Sequence, residues 1–351
     1  MTDDTTPVEN RSEIVFLYDA VDANPNGNPL SGADRPRIDP QTQQAIVTDV
    51  RLKRYLRDQL EDDGHGVYIR NVQEEGYQAT REDLLEDRLN QVDVDDVPDD
   101  ELEEAVFGQF LDKSADIRYF GATMSVDTED ELAENLPDHF TGPVQFSPGK
   151  SMHPVNENEE YDSLTSVIAT QSEKEQGGFD LDDHRIQYGL IRFHGLVDEH
   201  GAADTKLTAE DIRRLDTLCW RAIKNQTISR SKVGQEPRLY LRVEYEAESF
   251  HLGGLDKDLS LDEHDDRTKP YEELRNVRDL TLAVDDLADR LRGSADRIAA
   301  VRFAASDVLP ISYDGDVGGP ALFKTALEDA VGSDAVEEID VYDEHLSTLP
   351  N

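Results

Sequence analysis

The chain has 351 residues, of which 78 are acidic and 35 basic, for a formal net charge of −43; this excludes a generally basic surface for a polyanion, and no apolar run nears the roughly 20 residues of a membrane span. Its single cysteine, Cys219, excludes an intrachain disulfide framework and any multi-cysteine metal site. The 47 Asp against only 10 Lys, set among patterned apolar segments, suit a very salty cytoplasm rather than a disordered chain, because at about 1 M salt the Debye length is roughly 3 Å and surface carboxylates barely repel.

The first ten residues, MTDDTTPVEN, are neither basic nor apolar, so no secretory signal is expected and a cytoplasmic location is. EIVFLY (13–18) predicts a buried strand, and the Pro-, Gly- and Asn-rich DAVDANPNGNPLSGADRPR after it predicts a loop. Residues 46–62 predict a helix, with Leu52, Tyr55, Leu56 and Leu60 in one arc and Arg51, Lys53, Arg54 and Arg57 in the complementary one. GVYIRNV (66–72) predicts a short strand; residues 82–104, with twelve Asp or Glu and one basic residue, Arg88, predict an exposed, partly helical insertion. DIRYFGATMSV (116–126), TGPVQFSPGKSMHPV (141–155) and SLTSVIATQ (163–171) predict strands. HRIQYGLIRFHGLVD (184–198) predicts a long strand whose apolar phase changes between Leu190 and Ile191, which implies a bulge or burial on both faces.

Residues 208–224 predict a helix with Thr208 as N-cap and Asp211 three positions on. A polar, basic loop follows at 225–237, then an alternating strand at 238–247 with Leu239, Leu241, Val243 and Tyr245 on one face. Residues 251–270 read as a linker, 271–292 as a helix or pair of helices, 298–306 as a final strand, 319–332 as a final helix and the last residues as frayed. Strand, helix, strands, helix, strand suits an α+β fold with a ferredoxin-like core carrying large insertions, the topology of the RNA-recognition motif (RRM).

The positive charge is concentrated. Residues 35–57 carry Arg35, Arg37, Arg51, Lys53, Arg54 and Arg57 against Asp39 and Asp49, and residues 221–242 carry Arg221, Lys224, Arg230, Lys232, Arg238 and Arg242 against Glu236. The two segments form either a divided polyanion-binding surface or a set of local ion pairs with acidic neighbours. No Walker loop, G-x-G-x-x-G, H-E-x-x-H or Cys/His cluster occurs, so no cofactor, metal or catalytic residue is assigned. Asp22, Asn24, Asn26 and Gly27 match half of a calcium loop, but its twelfth position is Ala33 rather than Glu, and turn chemistry accounts for the pattern. Cys219, beside Trp220, reads as a buried thiol, and His184 and His194 as structural. Asp19, Asp22 and Asp34 lie near the first basic segment and could serve metal-assisted RNA cleavage.

Strings in register along the chain, DANPNGNP with RPRID and VTDVRLKRYLRD, then DIRYFGA, TGPVQFSPGKSMHPV, HRIQYGLIRFHGLVDEHGA, TKLTAEDI and SRSKVGQEPRLYLRVEY, resemble the backbone subunit of type I CRISPR surveillance complexes, the Cas-seven family, in its type I-B form. The resemblance covers about 13–250. It implies an RRM-like palm over 12–250 with inserted fingers (about 72–182) and a thumb loop (about 225–237), residues 251–351 completing the palm. It implies a non-enzymatic subunit that stacks with further copies of itself in a helical filament along the spacer of a guide RNA (crRNA) and supports target DNA recognition in antiviral defence. The other Cascade subunits, of the Cas-five, Cas-six and Cas-eight types, would be partners, and no membrane would be. By motif, Arg35, Arg37, Thr48, Arg51, Lys53 and Arg54, with Arg57 on the same helix face, would grip the RNA backbone; in and beside the thumb, Arg230, Ser231, Lys232, Gln235 and Arg238 would lie near it. The related type III backbone subunits, which cut target RNA through a loop aspartate, supply the alternative.

Overall fold

The computed structural model describes residues 6–27, 35–70, 73–74, 77–95, 97–124, 130–158, 164–167, 178–181, 184–226, 232–265 and 268–342. Its architecture is set by β1 (Ser12–Ala23), in which Ile14, Phe16, Tyr18 and Ala20 are buried toward one face and Val15 and Leu17 toward the other. A strand apolar on both faces has to be central. The elements around it, in chain order, are β2 (Ile46–Val47), α1 (Asp49–Asp62), α2 (Arg81–Leu89), α3 (Leu102–Asp112), α4 (Ala115–Phe120), β3 (Val144–Phe146), β4 (Gly149–Ser151), β5 (Ile186–Val197), α5 (Glu199–Thr205), α6 (Ala209–Lys224) and β6 (Gln235–Tyr245). Then come β7 (Ser260–Leu261), β8 (Leu282–Ala283), α7 (Asp285–Arg292), β9 (Ile298–Ala305), β10 (Ile311–Tyr313), β11 (Asp316–Gly318), α8 (Pro320–Val331) and β12 (Val336–Glu338).

The main sheet runs β12-β9-β6-β1-β5-β4-β2, with β3 also pairing β5. Its central pairs are antiparallel, from Ser12 opposite Val197 and Glu244 to Ala20 opposite Gly189 and Gln235, and only β9 and β12 pair in parallel. One face packs against α1 and α6, through Leu52, Tyr55, Leu56, Leu215, Leu218 and Cys219. Both helices start on threonine caps: Thr48 accepts from the Arg51 amide, and Thr208 and Asp211 form a complete capping box. The other face is covered by the C-terminal segment, whose Leu255, Leu280, Leu287, Phe323 and Leu327 meet Leu239, Leu241, Val243 and Tyr245. Leu190 faces this second core and Ile191 the first, so the phase change in β5 reflects burial on both faces. α2 and α3 hold a satellite core of Leu85, Leu89, Val106, Phe110 and Leu111 with Tyr68 and Ile117. Among the described residues no helix is long and apolar enough to cross a membrane.

Two buried carboxylates fasten the layers. Asp216 of α6 accepts from Arg242 Nε at 2.7 Å and Nη2 at 2.8 Å, and from the Tyr240 hydroxyl at 2.8 Å. Glu13 of β1 takes His194 Nε2 at 2.7 Å, the Tyr245 hydroxyl at 2.9 Å, and the amides of Gly253 and Leu255 at 2.8 and 3.0 Å. Burial alone would raise the Glu13 carboxyl, but these donors outweigh it and bring it down to about 2. A value below the ordinary 4.5 stabilises the fold at neutral pH, and that contribution disappears as pH falls from about 4.5 toward about 2. Glu13→Gln is expected to cost about 3 kcal/mol at pH 7 and to flatten the acid limb across that window. Urea melts at a series of pH values in molar salt check this; an unchanged acid limb would refute it.

Several sequence expectations are corrected. Residues 116–120 of the supposed strand at 116–126 belong to helix α4, with only 121–123 extended and 125–126 outside the described residues. Side-chain anchors override the β-forming composition: Arg118 grips Asp211 at 2.9 and 2.8 Å, and Gly121, at φ 68°, ends the helix. Residues 66–70 form no strand, because the Tyr68 and Ile69 amides donate to the buried Asp116 carboxylate at 2.8 and 3.1 Å. Of 271–292 only α7 is α-helical; Asp279 accepts from the Arg275 and Asn276 amides at 2.9 and 3.1 Å, holding the preceding chain in short turns. Three short strands follow β9, so 298–306 is not the last. Of the strand expected at 163–171, 164–167 is extended, and the residues flanking it lie outside the described residues, as do those expected to fray at 343–351.

Candidate nucleic-acid interface

The loop after β1 folds back onto the start of α1 and onto the root of the loop before β6. Asn26 Oδ1 accepts from the Thr48 amide at 2.7 Å and from its hydroxyl at 2.9 Å. The Tyr55 hydroxyl donates to the Pro25 carbonyl at 3.1 Å. The Lys232 ammonium donates to the Asn24 carbonyl, and Gln235 Nε2 to the Lys232 carbonyl at 3.0 Å. The Val21 amide donates to the Gly234 carbonyl at 2.9 Å. Gly234 has φ 105°, and a Cβ there would stand 2.4 Å from the Val21 carbonyl oxygen, so this close approach requires glycine. The two basic segments, remote in sequence, therefore meet at one end of β1.

Arg35 and Arg37 lie on the returning chain, which bridges Gly27 to Pro36 and Ile38 to Ala45. Arg35 is 3.5 Å from Glu157 and half exposed. Arg51 sits in the first turn of α1 with its guanidinium 5.8 Å from the Tyr55 ring centroid. Neither Arg37 nor Arg51 forms an ion pair with a described carboxylate. The N-terminus of α1 adds the positive end of its dipole. Val50 and Val233 are 69% and 60% exposed beside this turn, apolar surface that periodicity did not single out.

The other sequence-predicted cations are held internally. Lys53 reaches Gln145 Oε1 at 2.7 Å and Asp49 at 3.6 Å. Arg54 pairs with Asp58, and Arg57, itself buried, with the fully buried Asp116 at 3.0 Å. The arc of α1 opposite its apolar stripe is thus largely an inter-element contact rather than a basic face. Arg238 pairs with Asp19 at 2.9 Å, Arg221 with Asp63 at 2.7 Å, and Lys224 with Glu236. Lys232 and Gln235 are buried and clamp the loop root instead of presenting polar groups to solvent. Arg230 and Ser231 lie outside the described residues, as do Asp34 and the second half of the calcium-like loop. Asn24 and Asn26 of that loop serve as clamps and are buried at 3% and 4% exposure.

Asp19 is wholly buried in β1, and burial pushes its carboxyl up to about 6 against the pull of the Arg238 guanidinium. Asp22 is committed through Oδ1 to Asn158 at 2.9 Å. Among the described residues no three His, Cys, Asp or Glu side chains stand close enough to hold a metal ion. Cys219 is fully buried, which pushes its thiol up, and His194 is taken up by Glu13.

Two chains from solved assemblies, described as "CRISPR RNA-guided surveillance complex, pre-nicking" and "CRISPR RNA-guided surveillance complex", are similar at 14% and 15% identity with TM-scores of 0.46 and 0.43. Each similarity covers 91% of this chain, and 100% and 99% of the other. A protein of Haloferax volcanii described as "CRISPR-associated protein Cas7" is 50% identical over 346 residues, 95% of this chain and 98% of that protein. The family profile of CRISPR-associated protein Cas7 matches residues 10–285, a span that takes in β1, both basic segments and the turn that joins them. On these matches the chain belongs to the Cas7 family of CRISPR-associated proteins.

Proposed function

We propose that this chain binds guide RNA as a non-catalytic backbone subunit of a type I-B Cascade complex, copies stacking head to tail along the spacer and presenting it to target DNA beside subunits of the Cas-five, Cas-six and Cas-eight types. The observation that carries the reading is the convergence of Arg35, Arg37, Thr48 and Arg51 with residues 232–235 at one end of β1, in a protein of net charge −43. A scaffold for any guide has to grip phosphate and sugar rather than base edges, and arginine forks suit phosphate. Sequence specificity then falls to base pairing.

The spatial order β6-β1-β5-β4, with α1 and α6 on one face, supports a ferredoxin-like, RRM-type palm. In this reading the fingers come from about 72–182, apart from β3 and β4, which pair into the palm sheet, 225–237 is the thumb, and the C-terminal segment closes the palm's second face. Arg230 and Ser231 lie on the thumb, while Lys53, Arg57, Lys232, Gln235 and Arg238 hold the gripping surface in shape and Arg54 pairs within its own helix with Asp58. The burial of Asp19 inside the sheet supports a scaffold over an RNase. The acidic surface and the Haloferax relative support work in a salty cytoplasm.

The test is a tagged purification from the native host without lowering the salt, followed by the 260/280 nm ratio and sequencing of bound nucleic acid. The expected outcome is RNA of uniform length with repeat-derived ends and diverse spacers. No RNA, or RNA of random sequence and length, would refute the reading.

A further inference from the structure

We propose that Lys150, which no motif assigned, is a further RNA-backbone contact that extends the Arg35–Arg37 grip across the edge of the main sheet, and that Asp39 holds it in place until RNA arrives. The inference rests on the RNA-binding reading above and adds a residue from a distant part of the chain.

Strand register carries the argument. Lys150 is the middle residue of β4, directly opposite Ile46 of β2 on one side and Arg192 of β5 on the other. The Ile46 amide donates to the Arg37 carbonyl at 2.7 Å, and Ile38 bridges Ala45, so Arg37 occupies the next place in the same cross-strand row. Directly opposed residues put their side chains on one face of a sheet. That face is opposite the helices: Ile38, Ala45 and Val47 pack into the α1–α6 core, while Arg192 turns the other way and donates to the Leu259 carbonyl at 2.9 Å. By the same alternation Arg35, Arg37 and Asp39 share a side of their segment, and Lys150 meets Asp39 there at 3.5 Å.

The C-terminal segment covers this face over β1 and β6 but leaves the β2–β4 edge open, where the Lys150 side chain is 51% exposed. Its ion pair with Asp39 and that of Arg35 with Glu157 are both long, at 3.5 Å, and solvated. Such pairs hold little energy, so a phosphate oxygen can replace the carboxylate, unlike in the buried pair of Arg57 with Asp116. Asp39 is pinned to the tip of its turn by the Gln41 and Thr42 amides at 2.9 and 3.3 Å, and so holds Lys150 without blocking it.

The test titrates full-length protein with a fluorescein-labelled single-stranded RNA of guide length over a series of molar KCl concentrations. Lys150→Gln is expected to weaken binding about tenfold and to reduce the slope of log K against log salt by about 0.7, the share of one single-strand phosphate. Asp39→Asn, which keeps the acceptor for the turn amides, is expected to tighten binding a few-fold. Lys324→Gln, at a half-buried site on α8 far from this edge in the sheet order, should leave both quantities unchanged, and thermal melts of all three should match the wild type. Wild-type binding with an unaltered slope in Lys150→Gln, or no gain in Asp39→Asn, overturns this inference and leaves the RNA-binding reading standing. A wild type that binds no RNA overturns both.

Discussion

Asp216→Ala is expected to destabilise the protein by about 3–5 kcal/mol, the range for removing one partner of a buried ion pair. Arg242 and Asp216 are each 2% exposed at the side chain, and their two hydrogen bonds join β6 to α6. Alanine would leave the guanidinium without its counter-charge in the core, strip the Tyr240 hydroxyl of its acceptor, and remove the carboxylate that Arg302 approaches at 3.8 Å. High salt gives no relief, since mobile ions do not screen a pair from which water is excluded. The measurement is a denaturant melt in molar salt: the midpoint should fall with the slope unchanged. The double variant Asp216→Leu with Arg242→Met should recover most of the loss, because an apolar pair of similar volume removes the desolvation cost along with the attraction. A loss below about 1 kcal/mol for Asp216→Ala would show that this pair is not desolvated in solution.

The double substitution Arg37→Ala with Arg51→Ala is expected to weaken binding of guide-length RNA about 100-fold at fixed salt. Each arginine would give up a charge-assisted hydrogen bond to phosphate, at about 1.5 kcal/mol apiece, the low end for a charged partner. Neither has a described carboxylate partner to lose, so the fold should melt as before. Arg54→Ala is the internal control. It is two turns' reach from the same helix start but paired with Asp58, and its loss should change affinity less than about threefold. Fluorescence anisotropy in molar KCl reads both. An equal loss from Arg54→Ala would place the grip on the flank of α1 instead of at the turn.

These expectations separate what local pattern reveals from what it cannot. The central strand, α1 with its Thr48 cap, α6 with its Thr208–Asp211 box, and the alternating β6 are all legible, because apolar periodicity and capping act within a few residues of chain. α4 and the turns at 271–279 are not, since carboxylates of Asp211, Asp116 and Asp279 organise backbone and side chains that β-propensity or helical spacing alone would arrange differently.

The same division runs through the candidate site. That positive charge gathers in two short segments of an acidic chain is a property of the sequence by itself, as is the Pro- and Asn-rich turn between β1 and α1. Which of those charges remain for a ligand was decided by tertiary structure alone. Arg57, Arg238 and Lys232 are neutralised or clamped by Asp116, Asp19 and the Asn24 carbonyl, partners far away in the chain, whereas Arg37 and Arg51 are left beside the turn and Lys150 is delivered to it by strand register. Periodicity is a short-range property of the backbone, but a charge takes its role from whatever the fold brings within about 4 Å of it, and that distance is set only when the whole sheet has closed.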